Sequence, residues 1–552
     1  MNRLKTTLCL VITITLLLFS NCKQTSQTED SDYSDNALAI DTSPYSVSVA
    51  DEFSKTYNAE DILSRRHLDH SIFIDLSSLT AALDGGDAIS FKNGEIAVMT
   101  GVTIRTTENE ILIESASGFF IRYELTGTTD LTLTIDSDPD CEICLDEVEL
   151  TASAGPGLNI ASSGKVFLSS AEGTENLISD ADEQARIDDL DQKAALYSKS
   201  ALIIGGAGSL DVNGSYKHGI YSDEYIRITG GALNVHVSAR DAIRSVHGFI
   251  FDDGALSIVA TGTSLDDESR GIKVDGEESY EGAGLGYIVI NGGTLDITTV
   301  GKAITASFDI EEDGDTASTT FDPNPDVIIN NGVITITTTG HAYETPYASC
   351  SPEGLEGKDE LIVNNGYIVI YTDDDCLNAG TGIEINGGYL YCVSASNDAI
   401  DSNGYLLISG GIIVAIGSDA PEGAFDCDQN PFAITGGTFI GLGGTTSTPT
   451  ASVSTQNSVI LSNFNVQQGE IFALTDSSGE CLLVCELPAS ANTMLFSSPD
   501  IQDSGIYGMY FSGIGGGDYI FGGMYLDNLY YTIYGTGNSF RILSKVTIIR
   551  GY

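Results

Sequence analysis

From about residue 200 one phrase recurs: a short β-branched strand, a Gly-Gly or Asn-Gly corner, then a second strand of alternating character, as in Ile288-Val-Ile-Asn-Gly-Gly293. Its copies end at Gly206, Gly231, Gly254, Gly293, Gly332, Gly366, Gly388, Gly411 and Gly437, in steps of 25, 23, 39, 39, 34, 22, 23 and 26 residues. The basic period is therefore 22 to 26, and the three longer steps read as loop insertions. A unit this short has no means of burying its own apolar face and must stack on its neighbours. After each corner Leu233, Leu256, Leu295, Ile334, Ile368, Leu390, Ile413 and Phe439 fall in one register, which alternation along a strand directs inward. Gly and Asn suit the corners because they tolerate positive φ. Helical periodicity is absent here, and only residues 179–196 leave room for a helix or an ordered loop. The predicted fold is all-β: a right-handed parallel β-helix with one coil per repeat, covering residues 201–450.

A second phrase follows each strand pair: any residue, a small one, an apolar one, any residue. Examples are Asp241-Ala-Ile-Arg244, Arg270-Gly-Ile-Lys273, Glu353-Gly-Leu-Glu356 and Asp398-Ala-Ile-Asp401. The small and apolar pair is expected to fill the core at a bend, leaving the flanking residues outside in two ladders about 4.8 Å apart per coil. Glu353, Asp375 and Asp398 form one acidic row, and Glu356, Asn378, Asp401 and Asp426 the other, with Asp374 and Asp428 on the same edge. Like charges about 4 Å apart repel by roughly 4 kcal/mol near a protein surface. Protonation or a cation between the carboxylates relieves that, and an all-oxygen cluster suits calcium. A solvated acidic edge screened by protons or sodium is the alternative. Earlier coils differ, for Arg244, Arg270, Lys273 and Lys302 make a partly basic edge. That edge serves either a ligand carboxylate or an inter-coil salt-bridge ladder. Tyr367, Tyr371, Tyr389 and Tyr391, outward on neighbouring coils, offer flat faces and hydroxyls to sugar rings, or pack under an insertion or the C-terminal domain.

Charge narrows the partners. The 552 residues carry 78 Asp and Glu against 24 Lys and Arg, a net charge of −54, which repels nucleic acid and acidic headgroups alike. Residues 1–22 hold Arg3 and Lys5, an apolar run, then Ser20-Asn21-Cys22, the pattern of an export signal whose Cys22 is lipidated. An ordinary secretory signal is the alternative. Residues 23–54 are polar and acidic, a tether that holds the folded part at a bacterial envelope membrane without crossing it. Eight cysteines remain beyond Cys9 and Cys22, as disulfides or buried thiols; an isolated CxxC such as Cys141 to Cys144 is weak evidence for zinc. Residues 55–200 read as an N-terminal cap and first coils, and residues 455–552, where strand-like runs give way to a Gly- and Tyr-rich stretch, as a small β-sandwich over the open end.

The segments Gly173-Thr-Glu-Asn176, Ala201-Leu-Ile-Ile-Gly-Gly206, Gly219-Ile-Tyr-Ser-Asp223, Asp241-Ala-Ile-Arg244, Asp398-Ala-Ile-Asp-Ser402 and Gly423-Ala-Phe-Asp-Cys-Asp428 occur in order across roughly residues 80–445. Together they resemble the bacterial carbohydrate-binding domain family, typified by a clostridial cell-surface protein that binds cellulose and polygalacturonate. The resemblance implies a polysaccharide-lyase-like parallel β-helix that binds calcium and acidic plant polysaccharides, without established catalysis. It carries calcium-ligand roles onto Glu353, Asp374, Asp375, Asp398, Asp401 and Asp426. Cys376 stands where the family has glycine, and Arg270 and Lys302 replace acids, so the earlier coils depart from the metal pattern. The expected function is a surface-anchored, calcium-dependent binder of acidic or cellulosic polysaccharide with no catalytic residue assigned. The runner-up is a polysaccharide lyase or pectin hydrolase using Arg244, Arg270 or Lys273; these fall on different coils from the acids.

Overall fold

The computed structural model describes residues 59–92, 94–182, 193–262, 269–276, 286–308, 325–345, 349–534 and 537–551, all within the compact unit Asp41–Tyr552. The export signal with Cys22, the tether 23–54 and most of 179–196 lie outside the described residues. Among those described there is no α-helix, and the chain winds as a solenoid of three-sided coils. One coil comprises strands Gly382–Ile385, Tyr389–Ser394 and Ile400–Ser402, each pairing in parallel with its counterparts one coil before and after. This gives three faces: the first before the glycine corner, the second after it, and the third carrying the second sequence phrase. The first and second faces merge into one 28-stranded sheet, and the third is a separate 14-stranded sheet.

The register follows the repeat. Leu233, Leu256, Leu295, Ile334, Ile368, Leu390, Ile413 and Phe439 stand directly over one another and are buried. The nine corner glycines all have positive φ, from +73° at Gly293 to +126° at Gly332. Backbone proximity adds a second reason for glycine. A Cβ on Gly388, at φ +81°, would lie 2.8 Å from the carbonyl oxygen and 2.9 Å from the nitrogen of Gly366 below. Gly388→Ala is therefore expected to cost about 1–3 kcal/mol. The same change at exposed Gly173, where no atom lies within 4 Å of the added Cβ, isolates the φ penalty of about 1–2 kcal/mol. Equal losses at the two sites in urea unfolding would show that stacking distance does not matter.

Beside the corners an amide ladder ties the first face together. Asn330 donates to Asn291 (2.8 Å), Asn364 to Asn330 (2.9 Å) and Asn386 to Asn364 (3.1 Å), and Ser409 donates to Asn386 (2.6 Å). Stacked side-chain hydrogen bonds satisfy polar groups that the bend would otherwise strand. Coils begin well before residue 201, since Cys141–Thr151 and Val166–Ser170 already pair in parallel with the strands that follow. Antiparallel strands Glu95–Met99, Val102–Thr106 and Glu110–Ser115 close the N-terminal end of the third face. Across the first face runs a strap at residues 59–66 pinned by Asp61, which is buried and meets Lys165 Nζ (2.5 Å), the Tyr225 hydroxyl (2.6 Å) and Arg227 Nη1 (3.3 Å).

At the C-terminal end, Ala491–Ser497, Ser458–Val466 and Val546–Arg550 extend the second face beyond Thr438–Gly443. A six-stranded antiparallel sheet packs against this extension, with Phe472 and Phe496 rings 5.0 Å apart across the seam. Its apolar side also covers outward Val414, Ile440 and Leu442 of the last coils. The layer beneath the six-stranded sheet is thus the solenoid's own sheet. Cys141, Cys144, Cys350, Cys376, Cys392, Cys427, Cys481 and Cys485 form no disulfide among the described residues; six are buried, and Cys144 and Cys481 are half-buried.

Candidate functional site

The third face is built from strands of three residues or so, such as Leu355–Gly357, Leu377–Ala379 and Ile400–Ser402, with the outer residues buried and the middle one half-buried at Asn378 and Asp401 and covered at Glu356. The residue before each strand must be small: a Cβ on Gly354 would lie 2.7 Å from Ile370 Cγ2. Register places Arg244, Lys273, Thr305, Glu356, Asn378, Asp401 and Asp426 in one continuous outward row. Residues at the start of the phrase form the other row and reach along it. Asp398 Oδ1 accepts the Gly423 N–H (2.5 Å), Asp375 Oδ1 that of Asp398 (3.1 Å), and Asp241 Oδ1 that of Arg270 (3.2 Å). One oxygen of each carboxylate therefore holds the next coil, and the other is left for different work.

The two halves of the ladder are electrostatically unlike. In the earlier coils Arg244 grips Asp275 with two bonds, Nε to Oδ2 at 2.8 Å and Nη2 to Oδ1 at 2.9 Å, and approaches fully buried Asp241 at 3.3 Å. Lys273 lies 3.1 Å from Asp275, and Arg270 lies 3.6 Å from Asp241. Although burial works against it, the Asp275 and Asp241 carboxylates hold the Arg244 guanidinium well above its ordinary value. Asp275 in turn is held below its usual range by Arg244 and Lys273, again against burial. Of the two uses read for the basic edge, this geometry favours the salt-bridge ladder. Asp275 was not singled out from sequence, though its place two residues after Lys273, just past the end of strand Ile272–Val274, puts it within reach of the same side.

Lys302 marks the boundary. Its ammonium sits 2.8 Å from Glu353 Oε2 and 2.8 Å from Glu356 Oε1, and Lys358 joins it on Glu356. Two ammonium groups overcome burial and keep Glu356 below its usual range. Glu353 has Lys302 alone, and burial together with the Glu356 charge pushes it up to about 7. Past this point Asp374, Asp375, Asp398, Asp401, Asp426 and Asp428 have no Lys or Arg partner among the described residues. Burial, reinforced by Asp401, Asp374, Glu353 and Asp398, pushes Asp375 up to about 10. Burial also carries Asp398 to about 7, opposed by the Gly423 N–H and helped by Asp426, and Asp401 to about 6, helped by Asp426 and Asp428.

These donors fit a hard cation. Glu356 Oε2 is buried with no hydrogen-bond partner among the described residues, and every charged group from Asp374 to Asp428 in the row offers only oxygen. Among the described residues no three acids converge as a finished cage. An ion here would bridge carboxylates of neighbouring coils and take its remaining ligands from water or a bound molecule.

The tyrosines are on the second face. Tyr367, Tyr389 and Tyr391 surround Phe521 from the C-terminal sheet, with centroids at 6.1, 6.0 and 6.2 Å. Tyr371 meets Tyr391 edge-on at 5.9 Å and stays 45% exposed at the rim. Sequence reasoning did not find Phe521, Tyr519 or Glu486 beside them; they arrive from outside the repeat and carry no periodic signal.

The model of the carbohydrate-binding domain-containing protein family matches residues 107–399, more than half of the chain. A carbohydrate-binding domain-containing protein of Acetivibrio thermocellus is 29% identical over 152 residues, 27% of this chain and 52% of the relative, so the match spans about half the relative's length. Among solved structures, the gadolinium derivative of the polysaccharide lyase-like protein from C. thermocellum aligns over 62% of this chain and 97% of that one, at 17% identity and a TM-score of 0.33. Residues 107–399 span the coils from the first parallel turns to Asp398, and by that match the chain belongs to the carbohydrate-binding domain-containing protein family.

Proposed function

We propose that this protein is a non-catalytic polysaccharide-binding protein of the bacterial envelope, lipid-anchored through Cys22, whose acidic ladder takes calcium and, through it, the carboxylates of an acidic plant cell-wall polymer. The observation that carries the reading is the run of unpaired carboxylates on consecutive coils, Asp375, Asp398, Asp401 and Asp426, following coils whose charges are matched. A cation there relieves the repulsion and presents positive charge to a uronate, which a chain of net charge −54 would otherwise repel. The winding is taken as right-handed, as nearly all parallel crossovers are, and the six-stranded sheet as the outer layer of a sandwich on the solenoid's end. Lyase chemistry is disfavoured because Arg244, its best-placed basic group, is held protonated by Asp275 and Asp241.

Electrophoresis of the purified protein through polygalacturonate gels tests the reading. Wild type should be retarded with calcium and run freely with chelator. Asp398→Ala with Asp401→Ala should abolish the calcium-dependent retardation, while removing one carboxylate of a bridging pair weakens it by about tenfold or more. Free migration of wild type in calcium, or retardation unchanged in the double variant, would refute the ladder as the ligand site. Release of unsaturated, ultraviolet-absorbing product would establish the lyase instead.

A further inference from the structure

The seam between the second face and the C-terminal sheet does not close completely. It leaves an open groove of about 480 Å³, with Tyr367, Tyr371 and Tyr391 on one side and Tyr519, Phe521, Gln468 and Glu486 on the other. That volume lies within the range of roughly 300–1,000 Å³ common for small-molecule sites. Phe521 is buried at 3% exposure and forms the inner wall, whereas Tyr371 at 45% and Tyr519 at 56% stand open at the rim. A seam that served packing alone would have covered those rings. Gly522 brings the hairpin tip down onto the floor, since a Cβ there would lie 2.7 Å from Tyr391 Cδ2.

The polar lining is also uncommitted. The hydroxyls of Tyr371, Tyr391 and Tyr519 and the carboxylate of Glu486 make no hydrogen bond to any described residue. Tyr371 and Tyr391 meet edge-on at 5.9 Å along the groove, where burial and the neighbouring phenols push both hydroxyls up. Flat ring faces bordered by hydroxyl and carboxylate acceptors match a pyranose, with its apolar C–H face and equatorial hydroxyls. The lining contains no Lys or Arg and one acid, so it offers nothing to neutralise a uronate and no oxygen cluster for a cation.

We propose that this groove is a second glycan site, selective for an uncharged pyranose chain and completed by the C-terminal sheet, separate from the acidic ladder on the third face. It rests on the carbohydrate-binding reading for its ligand class, but on neither calcium nor the ladder.

The test is gel electrophoresis of the full chain in chelator through hydroxyethylcellulose, glucomannan and mixed-linkage β-glucan, beside polygalacturonate with calcium. Wild type should be retarded in at least one neutral gel regardless of calcium. Tyr371→Ala with Tyr519→Ala, both at exposed positions, should weaken that retardation about tenfold or more and leave the polygalacturonate result and thermal midpoint unchanged. Tyr371→Phe should keep most of the effect, because the ring remains. No retardation in any neutral gel, or retardation undiminished in the double variant, overturns the groove as a glycan site. Free migration of wild type through polygalacturonate with calcium, beside neutral-gel retardation that the double variant loses, would overturn the ladder reading alone and support the groove.

Discussion

Replacing Lys302 by methionine is expected to destabilise the solenoid by about 1–3 kcal/mol near neutral pH, because Glu353 loses its hydrogen-bonding cation and Glu356 is left with Lys358 alone. Lys302 is the only Lys or Arg within ion-pair distance of Glu353 among the described residues, and it shares Glu356 with Lys358. Methionine keeps the stem packed and removes the charge, so the loss reports electrostatics rather than volume. Glu353 already titrates near 7 with the ammonium in place. Without it the proton is held more tightly, and the penalty should shrink at about pH 5, where the folded carboxyl is neutral. Adding Glu353→Gln should restore most of the stability at pH 7, a coupling that a double-mutant cycle measures directly. A loss of the same size at both pH values, or no rescue by glutamine, would mean that Lys302 acts through packing.

The second large effect is a pH dependence that calcium cancels. Folded Asp375 keeps its proton up to about 10 and Asp398 up to about 7, whereas an unfolded aspartate releases it near 3.8. Between those values the folded state binds more protons than the unfolded one, so stability falls as pH rises. Each pH unit of that interval costs up to about 1.4 kcal/mol per group. The paired acids behave in the opposite sense. Asp275 and Glu356 sit below their usual values, so their contribution is complete above the unfolded value and disappears only in more acidic solution. From about pH 5 to pH 8 the unpaired row therefore sets the slope. In chelator the thermal midpoint should fall steadily across that window. Calcium, which binds the deprotonated carboxylates, should flatten the fall and raise the midpoint most at pH 8. A flat profile in chelator would show that the row carries its charge without help, and a calcium response equal at both pH values would place the ion elsewhere.

How much of this was legible beforehand follows from where each interaction arises. The corners, the inward row from Leu233 to Phe439 and the outward row through Glu356, Asn378, Asp401 and Asp426 could be read from the chain. Strand alternation and a repeat of 22 to 26 residues are local properties, and stacking converts equal position in the repeat into neighbours in space. Pairs such as Lys273 with Asp275 and Glu356 with Lys358 were within reach of the same logic, two residues apart where a short strand ends. Which acids are answered by a cation was not. Lys302 meets Glu356 across 54 residues of chain because the intervening insertions leave the coil register intact, and the repeat alone left open whether that edge faced a ligand or another coil. Nor does any repeat place Asp61 against Arg227, 166 residues away, or Phe521 among the tyrosines of the second face. The sequence by itself determined the coil, its core and the identity of the ladders, because those depend on periodicity. Tertiary structure alone decided which charges are matched and where a groove remains open, because these depend on side chains brought in from outside the period.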